Sequence, residues 1–151
     1  MKRILCLLAV LAITAIAAAP AQAARHSIDS SVKTADLETT GSPPASGSAT
    51  YAGTIKGALG SGAVVGQNIF GPLPEFHGPV RAFYAKGTLK GSLEGTGTLN
   101  ADGSVSFEGT GEISKGTGKY KGARGKFTFV GSEASVGAAV QSFDITGTVR
   151  Y

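Results

Sequence analysis

The chain has 151 residues, with 14 lysines and arginines against 10 acidic residues, two histidines, one cysteine and 23 glycines. One cysteine rules out a disulfide framework or a thiolate metal site, and a formal charge of +4 is too small to argue for nucleic acid. The length suits one domain around one core.

Residues 1–23, MKRILCLLAVLAITAIAAAPAQA, have the three parts of a secretory signal. Lys2 and Arg3 form a positive start, Ile4 to Ala19 an apolar run, and Ala21-Gln22-Ala23 the small residues a signal peptidase accepts. The run falls short of the roughly 20 residues that a membrane span needs. The expectation is cleavage near Ala23 and a soluble exported protein, extracellular or periplasmic, with no membrane association afterwards. Cleavage removes Lys2, Arg3 and Cys6 and leaves 12 basic against 10 acidic side chains, a net of +2.

Residues 24–48 are rich in Ser, Thr, Asp and Glu and carry the break GSPPASGS. So little apolar surface does not offset the entropy of ordering it, and a flexible polar arm is expected. Residues 49–151 read as a β-barrel domain. YAGTIKGAL alternates Tyr51, Gly53, Ile55, Gly57 and Leu59 against Thr54 and Lys56. LKGSLEGTGTL, VSFEGTGEI and FDITGTVRY repeat the pattern, and a period of two is the strand signal. The chain is therefore all-β.

The turn NADG allows a register to be derived. Ala101-Asp102-Gly103 fits a three-residue hairpin loop with glycine in the left-handed position. Leu99 then faces Val105, Gly97 faces Phe107, Thr96 faces Glu108, Leu93 faces Gly111 and Gly91 faces Ile113. Opposite Gly97, the Phe107 ring can cover bare backbone. Glycines recur on the apolar face of strands, each costing roughly 0.5–1 kcal/mol against alanine. Such glycines allow the coiling that closes a barrel and leave room for bulky neighbours. A two-sheet sandwich is the alternative.

GTGKYKGARGKF, Gly116 to Phe127, interleaves glycine and lysine as phosphate loops do. A P-loop ends in Gly-Lys-Ser/Thr and opens a helix, whereas Gly125-Lys126 here leads into the strand KFTFV. The spacing Gly116-x-Gly118-x-x-x-Gly122 also misses the dinucleotide fingerprint. The segment is architecture, a glycine loop that pins Tyr120 against the barrel mouth. Its lysines Lys115, Lys119 and Lys121 are expected in solvent.

GTGKYKGARG resembles the Gly-Gly-Thr-Gly-x-Phe-x-x-Ala-Arg-Gly signature of the dirigent proteins, a family similar to the allene oxide cyclases. DGSVSFEGTG stands where that family has a strand ahead of the signature, and AAVQSFDITGTVRY looks like its closing strand. The resemblance covers Gly87 to Tyr151. It departs at Lys115, where dirigent proteins usually have glycine, and at Gln141, an amide where they often carry a carboxylate. It implies a calycin-like antiparallel barrel of about eight strands with an apolar interior. Family members often associate through a sheet face, which makes a homo-oligomer an open expectation. Arg124 matches the signature arginine and has two readings: it locks the turn onto loop carbonyls, or its guanidinium lines the cavity and binds a ligand.

The remaining chemistry is sparse. His26 falls in the polar arm, and His77, two residues from Glu75, falls in a loop fixed by Pro72, Pro74 and Pro79, where a surface histidine is expected rather than a general base. Glu94, Glu108 and Glu112 share an outward face. No serine sits in a nucleophile elbow, the ligands for a metal site do not converge, and no cofactor is expected. The leading expectation is a secreted barrel that binds a small apolar or aromatic ligand non-covalently, with Arg124, Tyr120, Tyr84, Phe83 and Phe107 as candidate contacts. The alternatives are a cyclase, isomerase or dirigent-type enzyme that shapes a reactive intermediate, with Arg124, Tyr84 or Tyr120 as polar anchors, and a purely structural or adhesive exported protein.

Overall fold

Each alternating stretch of the sequence forms a strand, and the strands close on one another. The computed structural model describes residues 23–41, 46–71 and 74–151. The expected signal segment through Gln22, the break around Pro43 and Pro44, and Pro72 lie outside these residues. Eight antiparallel strands follow in chain order: β1 (Arg25–Thr40), β2 (Gly47–Gly57), β3 (Gly60–Phe70), β4 (Glu75–Tyr84), β5 (Gly87–Leu99), β6 (Val105–Gly116), β7 (Arg124–Glu133) and β8 (Gln141–Arg150). Each pairs with the next and β1 pairs with β8, so the barrel is closed and the sandwich alternative falls.

The hairpin register holds residue for residue from Leu99↔Val105 to Gly91↔Ile113, where a bulge after Lys90 shifts it. At its turn, Asn100 N donates to Ser104 O (2.8 Å) and Gly103 N to Asn100 O (3.0 Å), with Gly103 at φ +86°. Asp102 Oδ1 adds a brace by accepting from the Ser104 amide and hydroxyl.

Two expectations are corrected. Residues 25–40 are not a flexible arm but β1, the strand that seals the barrel. Its apolar content is low, yet both of its edges are paired, with β2 and with β8, and Ile28, Ser30, Val32 and Thr34 all point inward and are buried. The backbone ladders supply what its side chains do not. His77 and Pro79 likewise lie within β4 rather than in a loop. Pro79 has no N–H to give to β3, and the β3–β4 ladder is interrupted opposite it, but the same register resumes at Ile69↔His77.

One row of paired residues runs Gly97, Phe107, Gly131, Phe143, Val32, Ile55, Gly62, Tyr84 and back to β5 at Gly87, ten residues from its start. That stagger tilts the strands by about 40° and makes the barrel wide for eight strands. Its interior is filled by rings laid over the glycines of adjacent strands. The Phe127 ring lies against Gly111, the Phe129 ring against Gly95 and Gly109, and the Phe143 ring against Gly131. Burying one such ring contributes roughly 1.5–3 kcal/mol, against roughly 0.5–1 kcal/mol for a strand glycine, so the pairing is net favourable.

A methyl group at Gly111 would overlap the Phe127 ring. Gly111→Ala is expected to lose about 1–3 kcal/mol in urea unfolding, and adding Phe127→Leu should recover part of that. An unchanged midpoint for the single variant would show that the ring does not rest on this glycine.

Candidate functional site

The two ends of the barrel differ. At one end the segment after β6 forms a plug. Gly118 (φ +58°) and Gly122 (φ +82°) bend the chain on either side of a short 3-10 turn, Gly118–Tyr120. Thr117 N and Lys119 N donate to the carbonyls of Thr88 and Lys86 (2.9 and 2.8 Å), which ties the turn to the start of β5. Tyr120 is thereby driven into the barrel, 2 % exposed, and its hydroxyl donates to Leu59 O at 3.3 Å. Tyr84 and Tyr151 pack on its ring at centroid distances of 5.5 and 4.9 Å. Tyr151 in turn stacks on His26, 4.2 Å away, so this histidine belongs to β1 and the plug rather than to a free arm. Burial, with Tyr120 adding, pushes the Tyr84 hydroxyl up to about 12.

Arg124, at the start of β7, is exposed on the outward parity, and its Nη1 donates to Ala123 O at 2.8 Å. The turn-locking reading fits this placement and the cavity-lining one does not. Phe83 also faces outward, beneath the Arg81 guanidinium at 5.8 Å from the ring centroid, because it shares parity with Glu75, His77 and Arg81. Glu94, Glu108, Glu112 and His77 are exposed on the outer face, and Glu112 sits opposite Lys126.

The other end holds a cavity with ≈ 60 Å³ of space for a water centre. Its wall is apolar, built by Val32, Val64, Phe76, Val80, Leu93, Phe127, Phe129, Phe143 and Ile145, and its rim is polar, with Thr34, Tyr51, Asn68 and Gln141. None of Arg124, Tyr120, Tyr84, Phe83 and Phe107 lines it. Tyr120 and Tyr84 belong to the plug, and Phe107 stands behind two lining rings, packing on Phe76 and Phe143.

The rim follows from register. Glu133, Gln141 and Thr34 are paired in one row across β7, β8 and β1, and Asp36 lies two residues beyond Thr34, opposite Tyr51. Thr34 Oγ1 donates to Gln141 Oε1 (3.3 Å), and Gln141 Nε2 donates to Asp36 Oδ2 and Glu133 Oε2, both at 3.4 Å. Asn68 Oδ1 is buried with no hydrogen-bond partner. Burial raises the Asp36 carboxyl above its ordinary range. Burial also raises Glu133, with Asp36 adding, against lowering by hydrogen bonds from Gln141 and Gly137. The Tyr51 hydroxyl is pushed up to about 12 by burial and by Asp36.

Sequence reasoning missed these rim residues, although their parity carried a signal. Glu133 continues Phe127-Phe129-Gly131, Gln141 precedes Phe143-Ile145, and Asp36 continues Ile28-Ser30-Val32-Thr34. Each is a polar group on the dry face, Glu133 and Gln141 at a strand end and Asp36 just before the register shift in β1. Among the described residues no group of three or more His, Cys, Asp or Glu is arranged to hold a metal. Compared with protein-family models, curated proteins and solved structures, the chain matches none.

Two outcomes are expected. Tyr120→Ala should lose roughly 3–5 kcal/mol of stability, whereas Arg124→Ala should stay within about 0.5 kcal/mol, both by urea unfolding. The raised carboxyls set a pH dependence. Their protons are held more tightly folded than unfolded, so their contribution is full below the ordinary values of 3.8 and 4.5 and is lost as pH rises through the raised ones. Relative to the wild type, the variant Asp36→Asn/Glu133→Gln should therefore gain in Tm between pH 4 and pH 7. A constant difference would refute the assignment.

Proposed function

We propose that the protein is an exported barrel that binds a small apolar or aromatic molecule non-covalently in its interior. The observation that carries this reading is the asymmetry of the barrel. Tyr120 fills one end, while the other keeps a ring-lined cavity beneath a polar rim. A volume of ≈ 60 Å³ for water centres would take about four or five waters, or one single-ring molecule in their place. Water has few partners on such walls, and an apolar occupant gains by leaving solvent. The basic start, apolar run and Ala21-Gln22-Ala23 support export. The signature-like GTGKYKGARG, with strands in the matching order, supports kinship with the dirigent and allene oxide cyclase barrels.

A second reading, an isomerase or cyclase, draws on one observation: ionisable groups do face the cavity end. They are Tyr51, which lines the cavity, and Glu133 and Asp36, which flank the lining residue Gln141, rather than Arg124. Burial raises the Asp36 and Glu133 carboxyls, which is the direction a general acid needs.

Native mass spectrometry of protein purified from its own culture tests the binding reading. The expected result is a chain carrying one small non-covalent adduct. Val80→Phe, which places a ring in the cavity, should abolish the adduct while the circular dichroism of the barrel is kept. An adduct that survives Val80→Phe, or a bare chain in every preparation, counts against an interior ligand.

A further inference from the structure

We infer that the plug end of the barrel is a docking face for a bilayer with anionic headgroups, held there by a collar of cations and by Phe83. The face lies on the outer surface, at the end opposite the cavity mouth, and is independent of what the interior binds. It runs against the expectation of no membrane association after cleavage.

The charges of the chain are sorted along the barrel axis, which a net charge near neutral hides. Arg25, Arg150 and Arg124 stand in one row across β1, β8 and β7. Arg81, Lys90 and Lys115 stand in another across β4, β5 and β6. With Lys56 next to last in β2, only β3 has no cation near this end. The connections add Lys86 before β5, and Lys119 and Lys121 on either side of Tyr120. All of these but the half-buried Lys90 are exposed. No Asp or Glu occurs within four residues of the strand ends that border the plug, or in the segments that join them. At the cavity end the sorting is reversed. Glu38, Glu75, Glu108, Glu133 and Asp144 lie within four residues of the strand ends there, Asp102 lies in the turn after β5, and no Lys or Arg accompanies them.

Folding alone does not favour this arrangement. Like charges directly opposite on neighbouring strands are destabilising, yet two rows of three are kept side by side in a chain whose ten acidic residues could have separated them. The gap in the collar is apolar. Ala63 and Val65 of β3 face outward opposite Phe83 and Arg81 of β4, and the Phe83 ring is 37 % exposed. Cations around the end of a tube meet a plane on all sides at once, whereas a rod such as a nucleic-acid duplex meets only part of the ring. Headgroup phosphates would answer the collar, and Phe83 with Val65 would reach the acyl boundary. Apolar contact together with attraction to anionic lipid is what holds a protein on a membrane surface. The acidic end is repelled by the same surface, which leaves the cavity mouth facing solvent. A second copy could offer its acidic end to the collar, but that stacking would lay the plug over the mouth.

Co-sedimentation of the purified exported chain with vesicles tests this. Phosphatidylcholine vesicles with about one-third phosphatidylglycerol should bind at least about tenfold more tightly at low salt than phosphatidylcholine alone. Salt at about 0.5 M should release most of the bound chain by screening. Arg25→Gln/Arg150→Gln should weaken binding roughly thirtyfold. Thr98→Glu/Ser132→Glu, an equal change of net charge at the cavity end, should bind as the wild type does. Phe83→Ser should weaken binding several-fold, a loss that a purely electrostatic contact would not show. Equal binding to both kinds of vesicle, or to neither, would overturn the lipid face. Equal losses in the two double variants would overturn the role of the collar in favour of net charge. Salt-sensitive self-association without vesicle binding would overturn the bilayer and assign the collar to a second copy. An unchanged affinity of Phe83→Ser would overturn the apolar contact. The two vesicle compositions on the wild type decide the lipid face even if a variant does not fold, and circular dichroism shows which variants do.

Discussion

The structure depends on the contact between a ring on one strand and the bare backbone of the next. A barrel of eight strands with a ten-residue stagger is too wide to be filled evenly by medium-sized side chains. Here Phe127, Phe129 and Phe143 reach inward and lie across Gly111, Gly109 and Gly131. The same contacts fix the pairing. A slip of one residue would turn every ring to water, and a slip of two would take rings off the glycines that accommodate them. Glycine in mid-strand, unfavourable in isolation, is what allows close packing in this interior.

From that interior the two ends follow different rules. Near the plug the inner residues are Ile28, Leu89, Ile113, Ala123 and Val149, all buried, and Tyr120 completes the packing. Its glycines serve a backbone that must turn inward and back within a few residues, and its lysines remain in solvent. At the opposite end the inward positions become Thr34, Asp36, Asn68, Glu133 and Gln141. The change from aliphatic to hydrogen-bonding groups happens along single strands, in β1 between Val32 and Thr34 and in β7 between Phe129 and Glu133. The cavity lies at this boundary.

The alternation after residue 50 made the strands, the inward faces and the Leu99–Val105 register legible, because period and turn chemistry are local properties of a chain. The first strand was not legible from composition, since what orders residues 25–40 is pairing with β2 and β8, and β8 is more than a hundred residues away in sequence. The candidate site suffered from the same limit. Arg124 and Phe83 stood out as residue types, yet their parity sends them outward. Gln141 drew notice only as a departure from a family pattern. Its partners Thr34, Asp36 and Glu133 come from three separate segments, and only closure of the barrel makes them neighbours.

The rim is also where this fold departs from what stability alone would select. Asp36 and Glu133 are brought near each other and partly out of water, without a cation among the causes of their raised proton affinity. Their shared hydrogen bonds to Gln141 are long, at 3.4 Å. Apolar residues at the same inward positions would pack against Phe143 and Phe129 without leaving an acceptor such as Asn68 Oδ1 unpaired. A chain that elsewhere matches ring to glycine strand after strand breaks its own rule at one end of the barrel. Local inconsistency within an otherwise consistent design is the physical mark of a place shaped by something other than folding. Of these side chains Thr34, Asn68 and Gln141 line the ring-lined cavity described above, and Asp36 and Glu133 flank Gln141.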